Sequence, residues 1–548
     1  MGPIISIARV RVRERLELRQ WARPAAVRVT AATLAACAVG PDFVLPTVPS
    51  KANWSGASRG PGVDQRQDPA FAWWRTFKDP ALNRLIDMSV AQNLDLQAAG
   101  LRIYQARAQL GVIIGDYFPQ TQKVGAGYKR ERVSKDVGLT REVSRFVDFD
   151  PTFQDWSTGF DASWEIDVWG KVARGVQAAR ANLVVAVADR YDLLVTITGD
   201  VATAYVTLRE LQAEIALTRR SIIVQEDSLR LTQLQFREGT TTELDVDEAT
   251  AFLNSTKAEV PNLEADLAKA KNALAVLIGR PAGDIDGLLK PNRGIPATSP
   301  HVGIGVPVEL LRRRPDIRAA ELRALEQAAK VGVAVADLYP QFGITGSVGV
   351  KASDLSTLFT STAITGLINP GVSWNVLNYG RIRNNVRVED ARLQELLTSY
   401  RQQVLKAYAE AEDALTAFLK SKQQVVFLTR SVRASQRAQR ISLLEYQAGT
   451  VSFNRVLDNQ VSLLRSEQRL ASVRADAVTN LVALYKALGG GWQSFTDAPL
   501  VPDETKVEMA ARTNWGRLLD DDAIPEAARQ LKPPPTPGAK PQLPQPDF

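Results

Sequence analysis

Cysteine and histidine are almost absent from this sequence, with one residue of each among 548. A disulfide within the chain is therefore excluded, and a Cys/His metal cluster or a histidine-based catalytic triad is nearly so. Neither GxxxxGK[ST] nor HExxH occurs, and the single GxSxG match, at residues 56–60, lies in a Gly/Ser/Pro-rich stretch without the strand-to-helix context of a nucleophile elbow. We therefore expect no enzyme, no cofactor and no metal site.

Long apolar runs are missing as well. No window reaches 18 consecutive apolar residues, which predicts that the chain has no transmembrane helix. The net charge is +7, but the arginines are scattered through helical stretches rather than clustered. This pattern is typical of solvated helix faces, so we expect no nucleic-acid partner.

The one cysteine, Cys37, follows a basic region and the small, apolar run VTAATLAAC. The residues Leu34-Ala35-Ala36-Cys37 have the spacing of a lipoprotein signal, in which cleavage precedes a cysteine that then receives lipid. We interpret residues 1–36 as a signal peptide, Cys37 as the lipidation site and residues 37–78 as a lipidated extended segment. The alternative is an ordinary cysteine in an alanine-rich leader.

The remainder of the chain contains one pattern twice. Residues 95–120 recur as residues 316–341 with a shift of 221, and further on Gly239-Thr240 recurs as Gly449-Thr450 with a shift of 210. A duplication of this length predicts one structural unit used twice. We divide the chain into repeat 1 (79–300), repeat 2 (301–492) and a C-terminal segment (493–548) that ends in a Pro-rich tail predicted to be disordered.

Each repeat contains a predicted pair of β-strands, near residues 120–168 and near residues 341–377. Between Trp156 and Trp169 bulky side chains alternate with polar ones, as on a strand with two unlike faces. In the first strand the apolar residues Val124, Ala126 and Tyr128 are out of phase with their counterparts in repeat 2. A β-bulge could restore the phase. A soluble sheet alternates in the same way. Trp and Tyr at the strand ends and polar inner faces favour a membrane barrel, with a long charged outer loop in repeat 1.

Long helices follow each strand pair. Apolar residues recur at intervals of seven from Leu194 to Phe236, which predicts a paired or coiled helix from about Lys171 to Glu238. Such a helix spans about 100 Å. The chain then turns at Gly239-Thr240 and returns as a second helix, and repeat 2 has the same arrangement.

Four strands in one chain cannot close a membrane barrel, because the smallest single-chain barrels have eight. An open strand edge in lipid leaves backbone groups unpaired, at a cost of several kcal/mol each. Several chains must therefore share one barrel, with eight strands from two chains or twelve from three. The helices then extend from the barrel as a tube, and a conduit is the natural function.

Seven motifs between Cys37 and Trp492 resemble, in order, the TolC-like outer-membrane factor family, in its lipoprotein branch of OprM- and NodT-type proteins: CAVGPDF, WEIDVWGKVARG, ALAVLIGRPAG, PVELLRRRPDIRAAE, LYPQFGITGSVG, VSWNVLNYGRIRN and LYKALGGGW. The resemblance implies an α+β membrane protein whose homotrimer forms a twelve-stranded outer-membrane β-barrel and a periplasmic α-helical barrel. It further implies a passive exit duct for drugs or other small molecules, lipid-anchored in the outer membrane. Its implied partners are a periplasmic adaptor protein and an inner-membrane transporter of the RND class.

The resemblance also implies a gate at the far end of the helices. The family's closed entrance is lined by acidic residues just after the Gly-Thr turn, where this chain has Asp458, while Arg455 occupies a position that is acidic in some members. In repeat 1, Glu243, Asp245 and Asp247 supply the acid. Threefold symmetry would make each a ring that attracts cations. The alternative is an acid that simply favours the positive end of its helix.

The turns themselves, at Gly239, Thr240, Gly449 and Thr450, are the candidate adaptor contacts, or plain turns. Two further interpretations of the whole chain stay open. One is the duct of a type I protein secretion system, which has the same fold. The other is a periplasmic coiled-coil scaffold without a pore.

Overall fold

A computed structural model describes residues 38–48, 54–55, 63–64, 71–283, 285–298, 302–305, 307 and 313–532. The predicted signal peptide, the lipidation site Cys37 and the Pro-rich end of the tail lie outside the described residues. Within them, no helix combines the length and the apolar character needed to cross a membrane.

The strands form two sheets. The small one pairs β1 (Val63–Asp64) with β4 (Val302–Gly303) in parallel. The large one is antiparallel and four-stranded, in the order β2-β3-β5-β6, and each strand pairs with the next strand of the same sheet: β2 (Thr121–Arg132), β3 (Thr152–Ile166), β5 (Gln341–Ala352) and β6 (Ile364–Ser373). Its outer strands, β2 and β6, each have one edge without a strand partner in the described chain.

The register of the large sheet separates an apolar face from a polar one. Residues directly opposite each other in an antiparallel pair lie on the same face. The pairs Val124–Phe160, Phe160–Val348 and Ile344–Pro370 therefore place apolar side chains of all four strands on one face. The pairs Lys123–Asp161 and Asp161–Ser347 belong to the opposite face. The predicted two-faced sheet is present.

The first strand contains no bulge that could restore its phase. The β2–β3 ladder runs without interruption from Thr121–Ser163 to Arg132–Thr152. The phase is instead corrected before the strand begins, because the connection from the preceding helix to β2 (116–120) is one residue longer than the equivalent connection to β5 (337–340). The predicted charged loop lies between β2 and β3 (133–151), and its centre forms a short helix, Gly138–Ser144.

Helices make up most of the described chain: α1 (Pro80–Gln92), α2 (Leu94–Gly115), α3 (Gly138–Ser144), α4 (Lys171–Arg237), α5 (Glu243–Leu277), α6 (Pro315–Ala336), α7 (Arg381–Gln447), α8 (Phe453–Ala487), α9 (Asp503–Arg512) and α10 (Glu526–Arg529). The long helices α4 and α7 have 67 residues each and the helices that follow them 35 each. At 1.5 Å per residue α4 and α7 are each about 100 Å long.

The hydrophobic core lies around the middle of α4, away from both ends. Leu194, Val201 and Leu208, which belong to the apolar pattern at intervals of seven, are fully buried there. Phe236, which belongs to the same pattern near the end of the helix, is 43% exposed. Aromatic side chains close the core from the N- and C-terminal segments. Trp73 stacks on Tyr485 at 5.6 Å, Trp74 on Phe495 at 5.4 Å and Tyr191 on Trp492 at 4.6 Å. The large sheet and the ends of the helical hairpins lie outside this core.

Candidate functional site

The two ends of the helical hairpins are built on the same turn. Gly239 has φ 72° and Gly449 has φ 71°, a left-handed conformation that side chains disfavour. Thr240 N donates to Gln235 O and Thr450 N to Glu445 O, both at 2.9 Å, and each glycine N–H bonds three residues back. These are the two bonds of a Schellman cap, so the Gly-Thr pair ends the helix. All four turn residues are exposed.

The acidic residues near these turns have unlike surroundings. Asp245 lies in the first turn of α5 and accepts a short hydrogen bond from the Thr241 hydroxyl, so the helix end and a local bond explain it. Asp458 lies beyond the first turn of α8, which contains no acid. The effect of a helix end falls off within one turn, so it does not account for Asp458. Asp458 and Asp247 are exposed, and neither forms an ion pair with a described residue.

Arg455, one turn before Asp458, is also exposed and forms no ion pair with Asp458 in the described structure. Glu248, which sequence reasoning missed, is the equivalent of Asp458 in the first hairpin by the shift of 210. Its Oε2 atom is buried without a hydrogen-bond partner among the described residues. The same shift, applied to Asp458, would have identified it.

A small apolar cluster holds the two hairpins together near their ends. Phe453 and Val456 of α8 are buried against Tyr446 of α7 and Ala249 of α5, and the Tyr446 and Phe453 rings lie 5.4 Å apart. Just above, Gln460 Nε2 donates to Ser228 Oγ at 2.7 Å in a buried position. The cluster fixes the first turn of α8 against both hairpins, and therefore the position of Asp458 along the long helices.

At the other end of α4, a buried arginine holds the N-terminal segment. The Arg174 side chain is 3% exposed, and its Nη2 lies 2.9 Å from Asp42 Oδ1. It also donates to Val39 O at 3.2 Å and to Gly40 O at 3.3 Å. Gly40, with φ 95°, packs against Gly332 so closely that a Cβ atom would lie 2.4 Å from the Gly332 Cα. The segment that follows Cys37 is thus fixed where the sheet meets the helices.

Close to the middle of α4 lies a group of charged residues. Arg314 binds Asp316 through two nitrogens, at 3.0 and 2.8 Å, and Glu410 at 2.7 Å. Burial opposes ionisation of Asp316, but Arg314 holds the pKa of Asp316 below its ordinary value. Burial and then the Asp316 carboxylate raise the pKa of Asp192 to about 6. None of the described acidic, His or Cys residues forms a group of three that could hold a metal ion.

The model of the outer membrane efflux protein family matches residues 85–280 and 306–490. The chain belongs to this family. The cation efflux system protein CusC of Escherichia coli O6:H1 is 28% identical over 84% of the chain and 97% of CusC. The solvent efflux pump outer membrane protein SrpC of Pseudomonas putida is 31% identical over 84% of the chain and 96% of SrpC.

Among solved structures, the outer-membrane channel OprN superimposes with a TM-score of 0.78 at 33% identity, covering 83% of this chain and all of the OprN chain. The open-state MtrE channel of Neisseria gonorrhoeae superimposes with a TM-score of 0.72 at 26% identity over 83% of this chain. The predicted resemblance is therefore confirmed, and with it a function in outer-membrane efflux. The helices and the two-faced sheet are the elements of such a channel.

Proposed function

We propose that this chain is the channel subunit of a tripartite efflux system, and that three copies form one duct. The observation that carries the proposal is the four-stranded sheet. Its apolar face is exposed, both of its edges are unpaired in the described chain, and it lies outside the hydrophobic core, at one end of helices about 100 Å long. Val124 is 83% exposed and Ile368 is 81% exposed on this face. Apolar side chains exposed together in this way mark a surface that contacts a membrane or another protein.

Closure requires other copies of the chain. Three sheets of four strands give a twelve-stranded barrel whose apolar face meets lipid and whose polar face lines the pore. The two strand-pair-and-hairpin units of each chain then act as six similar staves around the axis. The same threefold arrangement gives neighbours from the next chain to the exposed start of α7 and the poorly buried end of α4.

The periplasmic entrance is formed in this proposal by the hairpin ends. Asp458 and Asp247 are free to face the axis, where threefold symmetry makes each a ring of negative charge that attracts cations and resists closure without them. Asp245 and Arg455 line the same opening, and Asp245 is the one held by a local hydrogen bond. The turns at Gly239-Thr240 and Gly449-Thr450 present exposed surface to a periplasmic adaptor, which connects the duct to an RND-type pump in the inner membrane.

Lipid at Cys37 completes the proposed attachment. Ala38, the next residue, packs against Gly170 at the junction of sheet and helices, where a Cβ on Gly170 would lie 2.7 Å from the Ala38 Cα. Acyl chains attached one residue away would enter the membrane beside the barrel, at its periplasmic side. Replacement of Cys37 by serine is expected to abolish lipid labelling and to leave assembly intact, since the barrel anchors itself.

The cargo is proposed to be drugs or other small molecules. CusC is named for cations and SrpC for solvents, so one architecture serves unlike cargo, and selection belongs to the pump. The test is deletion of the gene, followed by complementation and a susceptibility panel of antibiotics, dyes, solvents and metal salts. Increased susceptibility that the wild-type gene reverses supports the proposal. A purified protein that stays monomeric in detergent and forms no channels in planar bilayers would overturn it.

A further inference from the structure

The junction between sheet and long helix is covered in the first half of the chain. Trp169, just before α4, donates from Nε1 to Pro340 O at 2.7 Å and stacks on Tyr339 at 4.8 Å. Lys171 Nζ lies 2.7 Å from Asp337 Oδ1. The corner between α6 and β5 therefore caps the start of α4.

The equivalent junction in the second half is bare. By the shift of 210, Trp169 corresponds to Tyr379 and Lys171 to Arg381. Tyr379 is 100% exposed, although its φ of 50° is one that a non-glycine residue seldom adopts. Arg381 is exposed too. A strained aromatic residue that no described residue covers indicates a surface that is completed by another molecule.

The missing cap exists elsewhere in the same chain. By the shift of 221, the corner that covers Trp169 corresponds to the corner between α2 and β2, so that Asp337 corresponds to Asp116 and Tyr339 to Phe118. Both Asp116 and Phe118 are exposed. This corner cannot cover Tyr379 of its own chain, because β2 and β6 lie at opposite edges of the sheet.

Contacts inside each half support the correspondence. Trp164 Nε1 donates to Tyr117 O at 3.2 Å, and its counterpart Trp374 Nε1 donates to Leu338 O at 3.0 Å. Likewise α2 and α6 end in the same way, with Asp116 and Asp337 as C-caps at φ −69° and −67°. The two halves thus place equivalent residues in equivalent positions at these junctions.

The strand edges continue the same relation. In the sheet, β5 starts and ends 220 residues after β2, while β3 and β6 keep the shift of 210. The observed pair Ala162–Gly346 at the β3–β5 seam then becomes Val372–Ala126 at a β6–β2 seam, and the observed pair Phe160–Val348 becomes Pro370–Tyr128. All four of these residues lie on the apolar face, whereas a slip of one residue would turn one strand over.

We infer that the partner of this surface is a second copy of the chain, whose Asp116–Phe118 corner covers Tyr379 and Arg381 and whose β2 joins β6 with Ala126 opposite Val372. The inference rests on the proposed channel assembly and adds its seam: an Arg381–Asp116 ion pair, a Tyr379–Phe118 ring contact and one register. Three such seams close the barrel.

The register is tested with engineered cysteines in the full-length protein in outer-membrane vesicles. Directly opposed residues have Cα atoms about 4.5–5.5 Å apart, within disulfide range, whereas diagonal neighbours lie about 7–8 Å apart, beyond it. Val372→Cys with Ala126→Cys is expected to yield covalent trimers on non-reducing denaturing gels after oxidation. Val372→Cys with Val124→Cys, or with Tyr128→Cys, is expected to give about ten-fold less product.

Two outcomes separate this inference from the proposed function. Trimers that crosslink best through an offset pair would overturn the register and leave the channel standing. A protein that never assembles, judged by its mass in detergent before oxidation, would overturn both. The single-cysteine variants are the controls for non-specific oxidation.

The ion pair is tested by charge reversal. Arg381→Asp is expected to lower the temperature at which the trimer dissociates in detergent by about 2–5 °C, since an exposed pair contributes little at each of three seams. Adding Asp116→Arg should restore the wild-type value. The control Arg383→Asp, two residues along α7 and also exposed, should not be rescued by Asp116→Arg. Equal rescue of both would overturn the pair.

Discussion

The two halves of the chain build the same elements and differ in what covers them. In α4, Ala178 is 6% exposed because α6 packs over it, whereas its counterpart in α7, Val388, is 47% exposed. Trp169 is capped and Tyr379 is bare. The second half covers the first, whereas none of the described residues covers the equivalent surface of the second half. This difference is what one segment of the proposed ring requires.

The largest expected effect comes from the arginine that only the first half possesses. Arg174→Ala removes the hydrogen bonds to Val39 and Gly40 and is expected to cost about 3 kcal/mol of unfolding free energy. The matched control is Asn384→Ala, the exposed counterpart in α7, which should change stability by less than about 0.5 kcal/mol. Thermal unfolding in detergent measures both. Similar losses for the two variants would contradict the asymmetry.

The pairing of β3 with β5, which joins the two halves within one chain, gives the next largest effect. A Cβ on Gly349 would lie 2.5 Å from Thr158 O and 2.7 Å from the Gly159 Cα, so Gly349→Ala must push β3 and β5 apart. We expect a loss of about 2 kcal/mol. Gly343→Ala, on the same face of the same strand, meets its nearest atom at 3.6 Å and should be neutral. The yield of trimer that resists dodecyl sulfate without heating reports the difference.

The hairpin ends differ in how their acids are held, and conductance tests this. Asp458→Ala is expected to lower the cation current at low salt about two-fold and to weaken block by divalent cations, because a ring of charge that attracts cations is lost. Asp245→Ala should have a smaller effect, since that carboxylate is hydrogen-bonded locally. Planar-bilayer recordings of both variants decide the matter. Unchanged current and block in Asp458→Ala would exclude a gating role.

The smallest effect concerns the middle of the duct. Asp192 corresponds to the neutral Gln402 in the second half, and its pKa is raised to about 6 by burial and by Asp316. The carboxyl therefore binds its proton more tightly in the folded state than in the unfolded one. Stability should fall as the pH rises from about 4 to about 6, and level off above it.

Asp192→Asn should remove this slope and add about 1 kcal/mol of stability at pH 7.5, a value reduced for partial exposure. The measurement is the difference in unfolding temperature between pH 5 and pH 7.5, compared with the wild type. Asp189, Asp316, Arg314 and Lys486 also act on this carboxyl, so the slope and not the absolute temperature is the test. A slope that persists in the variant would assign the titration to another group.

Much of the fold could be predicted because it depends on local patterns. The intervals of seven from Leu194 predicted a helix of about the observed length, and alternation around Trp156 predicted the strand and its faces. The phase of β2 was misjudged because it depends on the length of a connection and not on the strand itself. The motifs carrying the family resemblance also contained Arg174, but nothing in the sequence shows that the arginine of one motif binds the backbone of another.

The gate residues stay predictions, because a ring exists only when copies of the chain meet. The adaptor contacts at the turns also stay predictions, because in a single chain these turns have the geometry of ordinary helix caps. Sequence and a single chain both place Asp458 at the hairpin end.

The extra residue before β2 has a consequence for how the gene can change. Deleting one codon between residues 116 and 120 would rotate every side chain of β2 by half a turn, placing Lys123 and Lys129 on the apolar face of the sheet and Val124 on the polar face. The strand's altered pattern and the added residue are each damaging alone and harmless together. The pattern of the strand and the length of the connection before it can therefore change only together.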